Sequence, residues 1–221
     1  NWLFHIYVLK PSITTREFVM RKSFLNVFLL LTSFHTLAQS KWQENIHYKV
    51  IAEQASAKPK VQEVFSFWCP ACNAFETIVP QIKRALPSNV PFEKVHVNFN
   101  GSTSKDTQNN ATAVMLSAEA LKTDLAFKKA LFATIHQKRT RITNKADILA
   151  VYASTGADVA KLEKMMTSFG IRSQVAKNDK IAQTVRSVPT IIINEKYQAI
   201  FTRDMTPDQS VELISWLVKQ T

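Results

Sequence analysis

Cys69 and Cys72 are the only cysteines in this 221-residue chain, with Pro70 and Ala71 between them. A structural disulfide stabilises mainly by closing a long loop of the unfolded chain, and a bridge between near neighbours closes almost nothing. The spacing therefore points to thiol–disulfide exchange, in which one thiolate attacks and its neighbour resolves the adduct. The run 61–67 is β-branched and aromatic and leads straight into Trp68-Cys69-Pro70-Ala71-Cys72. Beyond it, Phe75, Ile78, Val79, Ile82 and Leu86 recur at helical spacing as far as Pro87. Strand, tight turn and helix put Cys69 at a helix start, where unpaired amide N–H groups stabilise a thiolate. Pro70 suits the first turn, where its missing N–H has no partner to lose. Cys72 falls one turn further on, nearly on the same face. Cys69 is thus expected as the exposed attacking sulfur and Cys72 as the buried resolving one.

Other chemistries fit less well. A structural zinc site needs four ligands, and one C-x-x-C supplies two. His47, His96 and His136 have no paired spacing, so no metal is expected. In Cys–His hydrolysis the second cysteine would serve no purpose.

The elements that position the pair follow from periodicity. A second strand is expected over 92–99, with Val95, Val97 and Phe99 alternating with polar neighbours, and then a turn-rich stretch over 100–107. Residues 111–122 are good helix formers, and Leu125, Leu131 and Ile135 are expected on one face of the next segment. Asn144 can cap a helix that carries Ile148, Leu149 and Tyr152 and stops at Gly156. Asp158 can cap another, with Val159, Leu162, Met165, Met166 and Phe169 on one side before Gly170. The methionines read as core filler. Strand character returns over 190–194 and 199–202 around an Asn194-Glu195-Lys196 turn. Thr206-Pro207 then opens a last helix that buries Val211, Ile214 and Leu217. The order β-α-β, helical block, β-β-α describes a split α/β domain with a helical insertion.

Hydrophobic residues make up 46% of the chain and only three residues are Gly, which excludes a disordered or collagen-like protein. Met20-Arg21-Lys22, the apolar stretch 24–31 and Thr36-Leu37-Ala38 have the pattern of a secretory signal peptide over 20–38, cleaved after Ala38. The apolar stretch is shorter than the ~20 residues that span a bilayer. Residues 1–19 are read as an extension upstream of the true start. Lys10, Arg16, Arg21 and Lys22 against Glu17 place +3 in the first 38 residues, which leaves +8 of the total +11 for the mature part. Its basic residues are scattered, and the densest group (Lys138, Arg139 and Arg141) has no interleaved aromatics, so no nucleic acid is expected as partner.

Phe65-Ser66-Phe67-Trp68-Cys69-Pro70-Ala71-Cys72, with Phe75-Glu76, resembles the DsbA family of bacterial periplasmic thiol:disulfide oxidoreductases. The likeness extends to Lys94-Val95-His96-Val97-Asn98-Phe99, to Val188-Pro189, to Asn194-Glu195-Lys196-Tyr197-Gln198 and to the place of the insertion. It implies a thioredoxin fold with an inserted all-helical subdomain, divided as 39–107, 108–177 and 178–221. It implies that Pro189 is cis and faces the cysteines, and that the Val188 backbone pairs with substrate. Glu63, Glu76 and Lys94 match charged residues beside the active site in that family. A carboxylate inside an apolar strand needs a partner or a raised pKa, so Glu63 with Lys94 is expected to move protons to and from Cys72. Ala71 stands where the best-known members carry His, which should make a weaker oxidant. Ser187 stands where Gly often precedes Val-Pro, and Trp68 replaces a usual Phe, packing or shaping the substrate surface.

The activity implied is donation of the Cys69–Cys72 disulfide to reduced, newly exported polypeptides in the periplasm. The protein would be a monomer, re-oxidised by a DsbB-like membrane quinone oxidoreductase, with no cofactor besides its own redox disulfide. A disulfide reductase or isomerase is the alternative within enzymes. A non-catalytic thioredoxin-fold binding or chaperone module is the alternative outside them.

Overall fold

A computed structural model describes residues 41–220; the segments 1–19 and 20–38, read above as an upstream extension and a signal peptide, lie outside them. The strands are β1 (Tyr48–Val50), β2 (Val61–Phe65), β3 (Phe92–His96), β4 (Thr190–Ile193) and β5 (Tyr197–Ala199). They form one sheet in the order β1-β5-β4-β2-β3. β2 and β3 run parallel, with Glu63 opposite Lys94 and Phe65 opposite His96, and the other pairings are antiparallel. Central β2 is buried at every position, as a strand covered on both faces must be. The two-residue period sends Val61, Glu63 and Phe65 to one face and Val64 to the other.

Around the sheet lie α1 (Pro70–Phe75), α2 (Val79–Ala85) and the C-terminal α8 (Pro207–Val218). The face carrying Val61 packs on Phe75, Ile82, Leu213, Ile214 and Leu217. The opposite face joins Val64, Val95 and Val97 to Val185 and Ile192. Between β3 and β4 come α3 (Lys105–Ala120), α4 (Asp124–Phe132), a π-helical turn (Ala133–Gln137), α5 (Lys145–Ala153), α6 (Val159–Met166) and α7 (Phe169–Ala182). Met115, Phe127, Leu131, Ile148, Tyr152 and Leu162 of this insertion form one continuous core with Phe65, Phe67, Trp68 and Cys72. The sheet order and the insertion are those of a thioredoxin fold with an inserted helical subdomain.

Several expectations are corrected. The helix after Cys69 is two helices, because Pro80 in the first turn of α2 cannot donate back across the break. The stretch read as turn over 100–107 already holds the start of α3, where the Ser104 hydroxyl accepts the Thr107 N–H. Leu125 and Phe169 are among the most exposed hydrophobic side chains (77% and 80%) and belong to no apolar face. Phe169 begins α7, which Ser168 caps and which runs through Gly170 and across the 177/178 boundary. The last strand is Tyr197–Ala199 rather than 199–202. It follows a turn in which Asn194 and Glu195 both take positive φ (54° and 57°), the handedness that suits a hairpin. Val211 is only half-buried, and Leu213 takes its place in the core. β1 was not foreseen at all.

Candidate active site

Cys69 closes the strand-to-helix turn. Its backbone is extended (φ −94°, ψ 115°), and its Sγ accepts the Cys72 N–H at 3.2 Å, as an N-capping side chain does. Because α1 is only six residues long, what acts on this sulfur is the first-turn amide rather than a long helix dipole. Two further bonds shape the turn: the Cys69 N–H donates to Ser66 O at 3.1 Å, and the Trp68 N–H to Ser66 Oγ at 3.2 Å. Both thiols are free. Cys72 is fully buried, as expected. Cys69, expected to be exposed, is only 7% exposed, and Pro70 and Ala71 form the outer surface instead. Trp68 is likewise buried, with its ring 5.9 Å from that of His96, so it packs more than it presents a substrate surface.

The Cys69 thiol donates to the Val188 carbonyl at 3.6 Å, and the Val188–Pro189 bond is cis. The two loops quoted from the two ends of the sequence thus meet over one sulfur. Val188 and Pro189 are half-buried beside the thiol.

Beneath the pair, the β2–β3 register sets Lys94 beside Glu63. The Lys94 Nζ donates to Glu63 Oε2 at 2.8 Å and also bonds Glu76 Oε1. It lies 4.4 Å from the centre of the Phe65 ring. Glu63 is fully buried and its Oε1 has no partner among the described residues. Burial raises its pKa, and the nearby Glu76 charge adds to the rise while Lys94 opposes it. Burial pulls Lys94 down, yet its two carboxylate partners outweigh that and raise it. Lys94 is thus held in its charged form, while Glu63 keeps its proton to higher pH than an ordinary carboxyl does. Burial pushes the Cys72 thiol up, with the Cys69 sulfur and the Glu63 charge adding to it. A cleft of about 500 Å³, lined in part by Gln62, Lys83, Lys94 and Lys128, opens beside Lys94.

Two histidines that the sequence offered only as possible ligands hold the site instead. His96 is fully buried against Phe65, Phe67 and Trp68. Its Nδ1 lies 2.9 Å from the Thr112 hydroxyl, which gives its one proton to Gln108 O. Nδ1 is therefore the protonated nitrogen, and buried Nε2 keeps a bare lone pair without a partner among the described residues. Burial, reinforced by Lys94, lowers the His96 pKa to about 3. His136, in the π-helical turn, donates Nε2–H to the Phe67 carbonyl at 2.8 Å, tying the insertion to the redox turn. His47 lies elsewhere and accepts the Gln43 N–H through Nδ1. A C-x-x-H or paired-His motif was what the sequence lacked, and only the fold reveals these two roles.

A free cysteine pair at a helix start, faced by a cis-proline loop and underlain by a buried carboxylate–lysine pair, defines a thioredoxin-fold thiol–disulfide oxidoreductase. The family model for the DSBA-like thioredoxin domain matches residues 60–213. The thiol:disulfide interchange protein DsbA of Escherichia coli (strain K12) is 32% identical over 186 residues, covering 81% of this chain and 86% of that protein. DsbA of Haemophilus influenzae is 34% identical over 161 residues, 71% of this chain and 76% of its own. The crystal structure of the DsbA disulfide interchange protein from Klebsiella pneumoniae matches with a TM-score of 0.71 at 25% identity, covering 82% of this chain and all of that one. The chain belongs to the DsbA-like thioredoxin domain family.

Proposed function

We propose that this protein donates the Cys69–Cys72 disulfide to reduced polypeptides newly exported to the periplasm. The observation that carries the reading is the setting of Cys69 Sγ, which receives an amide N–H at 3.2 Å and faces the Val188 carbonyl at 3.6 Å beside cis Pro189. A client thiolate attacks Cys69 Sγ, the Cys69–Cys72 bond breaks, and Cys72 leaves with the electron pair. The client backbone is held in extended form by Val188. A second client thiolate then attacks the client sulfur of the mixed disulfide and releases Cys69 as a thiolate. The client has lost two electrons and the protein has gained them.

Cys69 is the better leaving group because its charge is met by the first-turn amide, which drives the second displacement. Cys72 is raised by burial and so takes up a proton as it leaves. Glu63 and Lys94 pass that proton from the cleft beside Lys94, and Glu76 holds the lysine in place. Pro70 and Ala71 leave the outer face of the redox turn without charge. The cycle closes when a DsbB-like membrane quinone oxidoreductase removes the two electrons. The protein works as a monomer, delivered by the signal peptide at 20–38, with the disulfide itself as its redox group. Among the described residues no helix is long and apolar enough to cross a membrane.

The test is trapping. Cys72→Ser, with Cys69 first loaded as its mixed disulfide with glutathione, should exchange glutathione for a reduced one-cysteine client and accumulate the Cys69–client disulfide, while Cys69→Ser should lose all oxidation. A Cys69→Ser protein that still protects clients from aggregation as well as the parent does would instead identify a binding module.

A further inference from the structure

Four exposed cations lie on two separate loops that are each tied to the redox turn. β2 and β3 are parallel, so both end at the face where the redox turn lies. The loop 137–143 is tied to that end by the His136–Phe67 bond and by the Thr103 and Thr107 hydroxyls, which donate to the Ile142 and Thr143 carbonyls. It exposes Lys138, Arg139 and Arg141, and the left-handed backbone of Arg139 (φ 54°) turns the chain there. On the other side Arg186 is exposed two residues before Val188, whose carbonyl meets the Cys69 thiol. None of the four forms an ion pair among the described residues. Of the acids on the adjoining helices, Asp147 at the start of α5 is engaged by the Thr143 N–H and hydroxyl, and Asp106 at the start of α3 accepts from Asn110. The exposed residues of the redox turn itself, Pro70 and Ala71, carry no charge.

We propose that this basic rim selects client segments carrying Asp and Glu around the reacting cysteine. The inference names the substrate class of the oxidase reading above and rests on it. An extended client advances about 3.3 Å per residue, so residues up to roughly three positions from its cysteine lie within about 10 Å of it, one Debye length at 0.1 M salt. Charges of one sign around a reactive cleft raise the encounter rate of the opposite sign, and the effect falls steeply with salt. The mature part's +8 charge, the remainder of the total +11 after the leader's +3, points the wider field the same way.

The oxidised protein is mixed, in single turnover, with two-cysteine peptides of equal length whose flanking residues are Asp/Glu, Ser/Gly or Lys/Arg. The acidic peptide should be oxidised about tenfold faster than the basic one at low ionic strength, with the ratio falling toward one as salt rises. Arg139→Glu with Arg141→Glu, and separately Arg186→Glu, should each lower that ratio. The two sets lie on different loops, and the salt series needs no variant. Equal rates for all three peptides, or a preference that survives salt and both variants, would overturn the proposal. If no peptide is oxidised, the disulfide-donor reading itself fails. If the peptides are not discriminated but the wild type alone sediments with phosphatidylglycerol vesicles, the rim serves a lipid surface and the client proposal is wrong.

Discussion

Replacing His96 with Asn should make the protein less sensitive to acid. His96 is fully buried, and burial together with Lys94 lowers its pKa to about 3. In the unfolded chain the same group titrates near its ordinary value of about 6.5. As pH falls below that value the unfolded state binds a proton that the folded state refuses, so stability is lost from about 6.5 downward. At about 1.36 kcal/mol per pH unit, the loss between pH 7.5 and 4.5 comes to about 2.5 kcal/mol. Asn keeps a side-chain N–H where Nδ1 meets Thr112 and cannot titrate, though the missing ring costs roughly 1–3 kcal/mol at every pH. Urea unfolding of both proteins, thiols kept reduced and followed by tryptophan fluorescence, measures the gap. The variant should be the less stable at pH 7.5, and the gap should close by about 2.5 kcal/mol at pH 4.5. A gap that stays the same would mean that His96 takes up a proton inside the fold, and the electrostatic account of this core would be wrong.

Ala71→His places a polar, sometimes cationic ring beside the Cys69 sulfur; a gain of about 1.4 kcal/mol for the thiolate raises the reduction potential by roughly 30 mV. Equilibration in glutathione buffers measures it, and an unchanged or lower potential contradicts the reasoning. Glu63→Gln removes a carboxyl whose folded-state pKa is raised by burial. As pH rises past the ordinary carboxyl value the unfolded chain releases this proton before the folded one does, so the wild type loses stability there and the variant does not. The stability of the variant relative to wild type should therefore increase from pH 4.5 to 7, and a constant difference would rule out a buried surplus charge.

Local chemistry made much of this molecule legible. Asn144, Asp158 and Thr206 cap their helices as read, each accepting an N–H three residues on. The strand into Trp68-Cys69 and the loop at Val188-Pro189 were read in place, and the likeness to the DsbA family anticipated the cis bond. What was misread depended on contacts distant in sequence. Gly170 looked like a stop, yet Ser168 caps α7 just before it and Ile171 and Asn178 anchor that helix. β1 has three residues and is specified by its pairing with β5 rather than by its own pattern. Glu63, Lys94 and Glu76 were foreseen as neighbours of the site only by resemblance, because the parallel register that joins the first two is invisible from either strand alone. For His96 and His136 the sequence carried no signal, since their partners stand 16 and 69 positions away.

β3 is the rim of the sheet, hydrogen-bonded to a neighbour on only one side. There the Asn178 amide accepts the His96 N–H and donates to the His96 carbonyl, reproducing with one side chain the double bond that an added strand would make. Unpaired rims invite extended chains to join them. At His96 that invitation is withdrawn. With that position filled from α7, an extended segment finds no free backbone pair at the His96 end of the sheet border, the end nearest the redox turn, and the cis-proline loop is left as the place where a client strand can settle.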